Sequence, residues 1–375
     1  MEKAATERDV EHLSRAIELA GLGYGHVSPN PLVGAVIVKD GEIVGEGYHH
    51  ALGGPHAEVE AIRKGAGTDL RGATIYVSLE PCCHFGRTPP CTDAIREAGI
   101  ARVVVASDDP SEHASGRGLG ILRDDGIDVV LAGGEIAARA RALNQPFRKH
   151  ARTGRPWVLF KSAMSIDGKV ATASGDSKWI SGERSRELAH HWRAGLDAVA
   201  VGIGTVLADD PQLTARLGSP PDRQPRRVVF DSLAQLPLDS KLVAEAEQVP
   251  VTVIVSRAAP RAARRALETH GVEVVIAAGE NEPGRVRGAL DHLGADGVTS
   301  VLLEGGPHIA GAFFDAREID EIRLFLAPIV LGGRSDRDPL ESEGVERIAD
   351  AVRPLRFTHE QVGEDLLLTA TLREW

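Results

Sequence analysis

Every cysteine of the chain lies in one stretch, SLEPCCHFGRTPPCTDAI at residues 78–95, as Cys82, Cys83 and Cys91. An odd number of thiols crowded into one loop cannot staple distant parts of a fold. The chain must therefore fold by burying apolar surface, and the cluster points to a metal or a reactive thiol. Its 375 residues suffice for two or three domains with cores of their own. A hydrophobic content of 42% and a charged content of 26% are those of an ordinary soluble globular protein. A net charge of −11 argues against a nucleic-acid partner, because such binding depends on Lys and Arg releasing counterions from phosphates. Any anionic ligand must be held locally.

The opening MEKAATERDVEHLSRAIELAG is acidic and amphipathic, with Thr6 and Asp9 spaced as a capping box and Gly21 past the helix end. It has neither the basic start nor the apolar stretch of a signal peptide. No segment approaches the roughly 18 unbroken apolar residues of a membrane span, so no membrane partner is expected. Few cysteines and no export signal suit a reducing cytoplasm.

LVGAVIVKDGEIVGEGYH reads as two strands joined at Lys39-Asp40-Gly41, the Asp-Gly pair being a hairpin signal. HAEVEAIRKG, CTDAIREAG and GRGLGILRDDG read as helices, and ATIYVSLEP, ARVVVAS and IDVVLAG as strands. This alternation predicts an α/β domain whose sheet is mostly parallel. LNQPFRKHARTGRPW, residues 143–157, is basic, carries Pro146, Gly154 and Pro156, and separates two series of apolar runs. Domains over 1–148 and 149–375 follow. The second series comprises seven β-rich runs, from WVLFKSAMS to EIRLFLAPIVLG, separated by helical patterns such as RSRELAHHWRAG and APRAARRALETHG. The second domain is thus also α/β, and nothing in it repeats the first.

His56 opens a helix as His-Ala-Glu, and Pro81-Cys82 ends a strand about 26 residues later. Two helix-starting loops beside adjacent strands can converge on one ion. Zinc suits imidazole and thiolate ligands, and a catalytic site keeps three of them with a fourth position open. His56, Cys82 and Cys91 would be the three, and zinc lowers the pKa of its bound water toward about 7. Glu58, two residues past His56, is placed to shuttle a proton to a leaving amine, as in zinc-dependent deaminases. The nucleoside and tRNA deaminases set their second cysteine three positions after the first, whereas CHFGRTPP separates Cys82 from Cys91. That longer loop carries His84 and Arg87, suited to a phosphate or sugar tail. Cys83 reads as a packing thiol or one supporting the ligands.

Ser28-Pro29-Asn30-Pro31, VGAVIV, GEGYH, PHAE, LEPCCHFGRTPPC and GRG together resemble the bifunctional deaminase-reductase family of riboflavin biosynthesis. KSAMSIDGK, GDSKWIS, VGIGTVLADDPQLTAR, VVFDS and LLEGG extend the likeness over nearly the whole chain. One stretch departs from the family: SEHASGRG stands where an Asn-Pro pair commonly follows Asp109-Pro110. The resemblance implies a cytidine-deaminase-like three-layer domain followed by a dihydrofolate-reductase-like α/β domain. It implies a diaminopyrimidinone bearing a ribosylamino phosphate as substrate, zinc on His56, Cys82 and Cys91, Glu58 as proton shuttle, and Asn30 against the pyrimidine edge. Deamination would be followed by hydride transfer from NADPH, opening the ribosyl group to a ribityl chain.

By the same resemblance, Ala163, Trp179, Thr205, Asp209, Ser232 and the run Gly306, Pro307, His308, Ile309, Ala310, Gly311 and Ala312 would contact NADPH. Ser177, Arg193, Leu213, Arg216 and Glu304 would contact the substrate. Gly305-Gly306 between a strand and a helix lets the backbone approach a phosphate, although such turns also use glycine merely to bend. Lys161, inside the apolar VLFKSAM, must face the cleft, since burying an unpaired ammonium is costly. Asp167, Asp209 and Glu304 are the candidates for proton donor in the reduction. His190 and His191 read as ordinary helix residues, His49 and His50 carry no assignment, and a homo-oligomer is expected. Two other readings are a zinc deaminase of tRNA or nucleosides with an unrelated partner domain, and a structural zinc site with a nucleotide-sensing module. The acidic balance and the eight-residue gap weigh against the first, and Glu58 weighs against the second.

Overall fold

The computed structural model describes residues 4–85, 89–178, 180–218, 221, 223–333 and 338–375. The chain forms two compact units, the first running to Gly154 and including Trp375, the second from Arg155 to Glu374. The first contains α1 (Glu7–Gly21), β1 (Gly34–Lys39), β2 (Glu42–Tyr48), α2 (Ala57–Lys64), β3 (Thr74–Val77), α3 (Cys91–Glu97), β4 (Arg102–Val105), α4 (Arg117–Asp124), β5 (Asp128–Leu131), α5 (Gly134–Leu143) and α6 (Gln145–Thr153).

The capping box forms as the spacing predicts, Asp9 N–H donating to Thr6 Oγ1 at 3.3 Å and Thr6 N–H to Asp9 Oδ2 at 2.8 Å. Gly21 is the last helical residue, not the one beyond. Asp40 and Gly41 both take positive φ, as a two-residue hairpin turn requires.

The five strands run β2-β1-β3-β4-β5. Here the expectation of a mostly parallel sheet needs correction, because β1 pairs antiparallel with both β2 and β3, and only β3–β4 and β4–β5 are parallel. A tight hairpin can only join antiparallel strands. Alternation along the strands builds two cores. Ala35, Ile37, Ile75, Val77, Val103 and Val105 face a layer that includes Ala57, Ala61, Ile95, Leu119 and Leu122. Val36, Tyr76, Val104 and Val130 face Leu13, Ala16, Ile17, Ile136 and Ala140 from the opposite side. The boundary segment 143–157 is helical through α6: Pro146 sits in the first turn, where its missing N–H is harmless, and Gly154 closes the helix with positive φ.

The second unit contains β6 (Trp157–Ser165), α7 (Glu183–Gly195), β7 (Ala198–Gly202), α8 (Ile203–Asp209), β8 (Arg226–Phe230), α9 (Lys241–Ala244), β9 (Val251–Val255), α10 (Arg261–Thr269), β10 (Glu273–Ile276), α11 (Glu282–Ala295), β11 (Ser300–Leu303), α12 (Pro307–Asp315), β12 (Glu321–Ala327), β13 (Arg356–Val362) and β14 (Asp365–Thr371). Its nine strands run β10-β9-β8-β7-β11-β6-β12-β14-β13. Pairing is parallel from β10 through β12 and antiparallel at β12–β14 and β13–β14. The seven apolar runs become β6 to β12, and the β13–β14 hairpin is an addition the sequence reading did not include.

In the first unit, α2 lies so close on β2 that a Cβ at Gly45 would meet the Ala61 carbonyl oxygen at 2.2 Å, and one at Gly47 the Ala57 oxygen at 2.4 Å. Gly47→Ala must therefore lift the start of α2, next to His56. A loss of about 1–3 kcal/mol in stability is expected, together with weakened metal retention, read by thermal melting and metal analysis of the same preparation.

Candidate functional site

His56 is the N-cap of α2 and Cys91 the first residue of α3, so two helix starts bring them together. Cys82 lies five residues past the end of β3. The loop carrying it is fastened from behind, where the buried Glu80 carboxylate accepts N–H bonds from Gly116 at 3.0 Å and Gly118 at 3.1 Å. Gly118 admits this closeness, because a Cβ there would meet the Pro81 carbonyl oxygen at 2.3 Å. From the front, Thr92 N–H donates to the Cys82 carbonyl at 3.2 Å and Cys91 N–H to Cys82 Sγ at 3.3 Å.

His56 Nδ1 is 3.2 Å from Cys91 Sγ and 3.5 Å from Cys82 Sγ, and one donor atom from each of the three residues lies within 4.8 Å of the others. Cys91 is fully buried, and Glu58 is 3% exposed. Burial, reinforced by the Cys82 charge, pushes the Glu58 carboxyl up to about 7. Hydrogen bonding to Cys91, assisted by His56, holds the Cys82 thiol low, while the same bond and burial push Cys91 up. Two sulfurs, an imidazole and a buried carboxyl crowded in this way are a donor set that calls for a cation, and soft thiolates with imidazole fit zinc. Cys83 points elsewhere, its Sγ 3.5 Å from the His113 carbonyl oxygen. His84 is exposed with its ring 5.5 Å from that of His113, and Arg87 lies outside the described residues.

Beside the cluster, the ring of His49 stands edge-on to His56 with centroids 5.4 Å apart. Its Nε2 is 3.1 Å from the Asn30 amide nitrogen, and burial holds this imidazole below its usual range. Asn30 is thus linked through His49 to the edge of the cluster.

The second unit carries a cavity of about 1360 Å³ at the carboxyl ends of its parallel strands, where open α/β sheets bind ligands. It is large enough for a dinucleotide and a second small molecule. Ala163, Thr205, Asp209, Ser232, Gly306, Pro307, His308 and Ile309 line it, as do Ser177, Arg193, Leu213, Arg216, Glu304 and Lys161. Trp179 lies outside the described residues. Ala310, Gly311 and Ala312 do not line it; they are buried on the inner side of α12, and a Cβ at Gly311 would meet the Glu341 carbonyl oxygen at 1.7 Å. The two glycines before α12 differ in purpose. A Cβ at Gly305 would sit 2.1 Å from Ile309 Cγ2, so packing demands glycine there. At Gly306 nothing closer than Thr205 Oγ1 at 3.8 Å would meet it, which leaves an open backbone beside the free N–H groups of a helix start. That cradle fits the phosphates of a nicotinamide dinucleotide.

At the other end, Glu304 grips Arg193 through two bonds of 2.6 and 2.8 Å. Burial alone would raise the Glu304 carboxyl, but the charges of Arg193 and Lys161 overcome it and hold it at about 2. Burial lowers the Lys161 ammonium, whose nitrogen stands 6.0 Å from the centre of the Phe325 ring; among the described residues it makes no ion pair. Asp167 does not line the cavity. Its carboxylate accepts from Leu331 N–H at 3.0 Å and Gly332 N–H at 2.7 Å, and bonds to Ser165 and these amides keep it at about 2. His190, an ordinary helix residue by its sequence setting, lines the cavity, and its Nδ1 accepts the Arg216 N–H at 3.2 Å. Burial and two nearby guanidinium groups bring it to about 4. Its place three residues before Arg193 on one helix face was the available signal. His191 is exposed.

Two family descriptions match the chain: the cytidine and deoxycytidylate deaminase zinc-binding region over residues 6–107, and the RibD C-terminal domain over residues 156–368. The riboflavin biosynthesis protein RibD of Actinobacillus pleuropneumoniae is 42% identical over 97% of this chain and 95% of its own length. That of Escherichia coli strain K12 is 39% identical over 96% and 98%. Among solved structures, Acinetobacter baumannii RibD superposes with a TM-score of 0.84 at 38% identity, covering 98% of this chain and 99% of its own. A diaminohydroxyphosphoribosylaminopyrimidine deaminase / 5-amino-6-(5-phosphoribosylamino)uracil reductase from Thermotoga maritima does so with 0.82 at 36%, covering 97% and 99%. A thiol-and-imidazole cluster beside a buried carboxyl, a dinucleotide-sized cavity at strand ends, and relatives matched end to end converge: this chain belongs to the RibD family of riboflavin biosynthesis proteins.

Proposed function

We propose that the first unit hydrolytically deaminates a diaminopyrimidinone carrying a ribosylamino phosphate, and that the second reduces the deaminated product, 5-amino-6-(5-phosphoribosylamino)uracil, to its ribityl form. The observation that carries the proposal is Glu58, buried beside His56, Cys82 and Cys91 with its carboxyl near 7. Those three residues would hold zinc, which activates water for attack at neutral pH. Glu58 is poised to accept a proton and hand it to the departing amino group, because a carboxyl near neutrality does both well. Asn30 would bind the pyrimidine edge.

In the second unit, NADPH supplies the hydride. Gly306 and the following helix start would hold its phosphates, with Ala163, Thr205, Asp209 and Ser232 along the rest of the cavity. Arg193, kept rigid by Glu304, and Arg216, whose backbone is tied to His190, suit an anionic substrate tail. Lys161, which makes no ion pair among the described residues, suits a carbonyl oxygen of the ring. Of the three carboxylates considered as proton donor, Asp209 and Glu304 line the cavity and Asp167 does not. Three free cysteines suit a reducing cytoplasm. Among the described residues no helix is long and apolar enough to cross a membrane.

Incubating the protein with the pyrimidinone phosphate should release ammonia with or without NADPH, and NADPH should be oxidised only once deamination has occurred. NADPH oxidation ahead of ammonia release would contradict the order. Glu58→Gln should lower deamination by roughly 10²–10⁴-fold while zinc content and reduction of supplied deaminated substrate stay unchanged, measured by ammonia release, metal analysis and NADPH absorbance. Cys83→Ser should retain zinc and both activities, whereas Cys82→Ser should lose the metal.

The Arg193–Glu304 pair yields a pH test. The Glu304 carboxyl lies at about 2 in the folded chain against an ordinary 4.5, so its contribution to stability is complete above about pH 4.5 and vanishes as pH falls through about 2. Arg193→Gln leaves a buried carboxylate unpaired and should cost on the order of 3 kcal/mol at pH 7. That deficit, followed by chemical denaturation, should begin to shrink above pH 4.5, where burial protonates the unpaired carboxyl, and go on shrinking until about pH 2, where the wild-type carboxyl is protonated as well.

A further inference from the structure

We infer that His49 is a positioning residue that fixes which end of the Asn30 amide meets the substrate, presenting Oδ1 as an acceptor for an N–H group of the pyrimidinone ring. The inference rests on the deaminase reading of the first unit. His49 is 3% exposed, and its Nδ1 lies 2.9 Å from the Pro55 carbonyl oxygen. A carbonyl oxygen only accepts, so Nδ1 must carry the hydrogen. In a neutral imidazole that leaves Nε2 bare, able only to accept.

The atom facing Nε2, at 3.1 Å, is the amide nitrogen of Asn30. Turning that amide over would set two acceptors against one another, so the donor count along Pro55, His49 and Asn30 permits one orientation. Among the described residues Asn30 Oδ1 makes no hydrogen bond. The backbone beneath is also held: Asn30 N–H donates to the Val27 carbonyl at 2.9 Å, and Asn144 grips Leu32 through bonds of 2.8 and 2.9 Å. With the backbone so held, His49 sets the orientation of the amide.

The consequence is selectivity. An amide free to turn would serve a ligand edge of either polarity, whereas a fixed acceptor favours a ring presenting N–H there and penalises one presenting a bare nitrogen, since two facing acceptors leave both unsatisfied.

The test is a double-mutant cycle read on deaminase kinetics, with imidazole ¹⁵N NMR. His49→Asn places an amide where Nδ1 was, keeping the bond to Pro55 and losing the one to Asn30, while His49→Gln keeps an acceptor for Asn30. His49→Asn and Asn30→Ala should each raise KM about tenfold, with kcat within about twofold and zinc content unchanged. Together they should be no worse than Asn30→Ala alone, and His49→Gln should lie closer to wild type. The NMR spectrum should show Nδ1 protonated and Nε2 bare. Multiplying effects, or a hydrogen on Nε2, would overturn the assignment. Absence of ammonia release by the wild-type protein would instead sink the deaminase reading, and the tautomer measurement would still decide the geometry.

Discussion

How deeply α2 sinks onto β2 governs the chemistry of the first unit. Gly45 and Gly47 present no side chains to the carbonyl oxygens of Ala61 and Ala57, and a methyl group at either would push the helix away. Because the helix sits low, His56 at its N-cap and Glu58 in its first turn reach the thiols of Cys82 and Cys91, which the start of α3 and the Glu80-anchored loop bring from the other side. The same closeness buries the carboxyl. Burial raises Glu58 to near neutrality, and crowding of sulfur around it makes a cation the natural occupant. Metal demand and proton readiness thus share one steric cause.

The second unit solves a different electrostatic problem with the same economy of backbone. Parallel pairing of β11 with β6 and β7 sets Glu304 just past one strand end, Lys161 on the neighbouring strand and Gly202 on the other. A lone carboxylate so placed would be protonated by burial, but Arg193 reaches it from α7 and keeps it ionised. Lys161, buried beside this pair, makes no ion pair among the described residues, and burial lowers its ammonium. Ligand polarity at this end is therefore set by buried groups, and the dinucleotide end is set by an uncluttered backbone at Gly306.

Much of this was legible in the residues. His-Ala-Glu and the Pro-Cys cluster named the three donor atoms and the carboxyl, because metal chemistry demands particular side chains at helix starts. The apolar runs of the second unit all became strands; in the inner ones, β7, β8, β9 and β11, residues buried on both faces leave a plain pattern. What stayed hidden depended on partners distant in sequence. RFTHEQV is exposed along most of its length and offers little apolar signal for β13. Pro146 marks the boundary segment in the sequence and starts a helix in the fold. Ala310, Gly311 and Ala312 belong to a motif whose spacing cannot tell a cavity wall from the buried side of a helix. His190 and His49 gained meaning from Arg216, Pro55 and Asn30, contacts no local pattern reveals.

The central claim is that an imidazole and two thiolates hold one metal with a position left open beside Glu58. X-ray absorption at the zinc edge of the active protein tests it most directly. The account predicts one zinc per chain with two sulfur neighbours and two lighter ones, nitrogen and oxygen. Three sulfur neighbours, which would bring in Cys83, or fully active protein without a transition metal would contradict it.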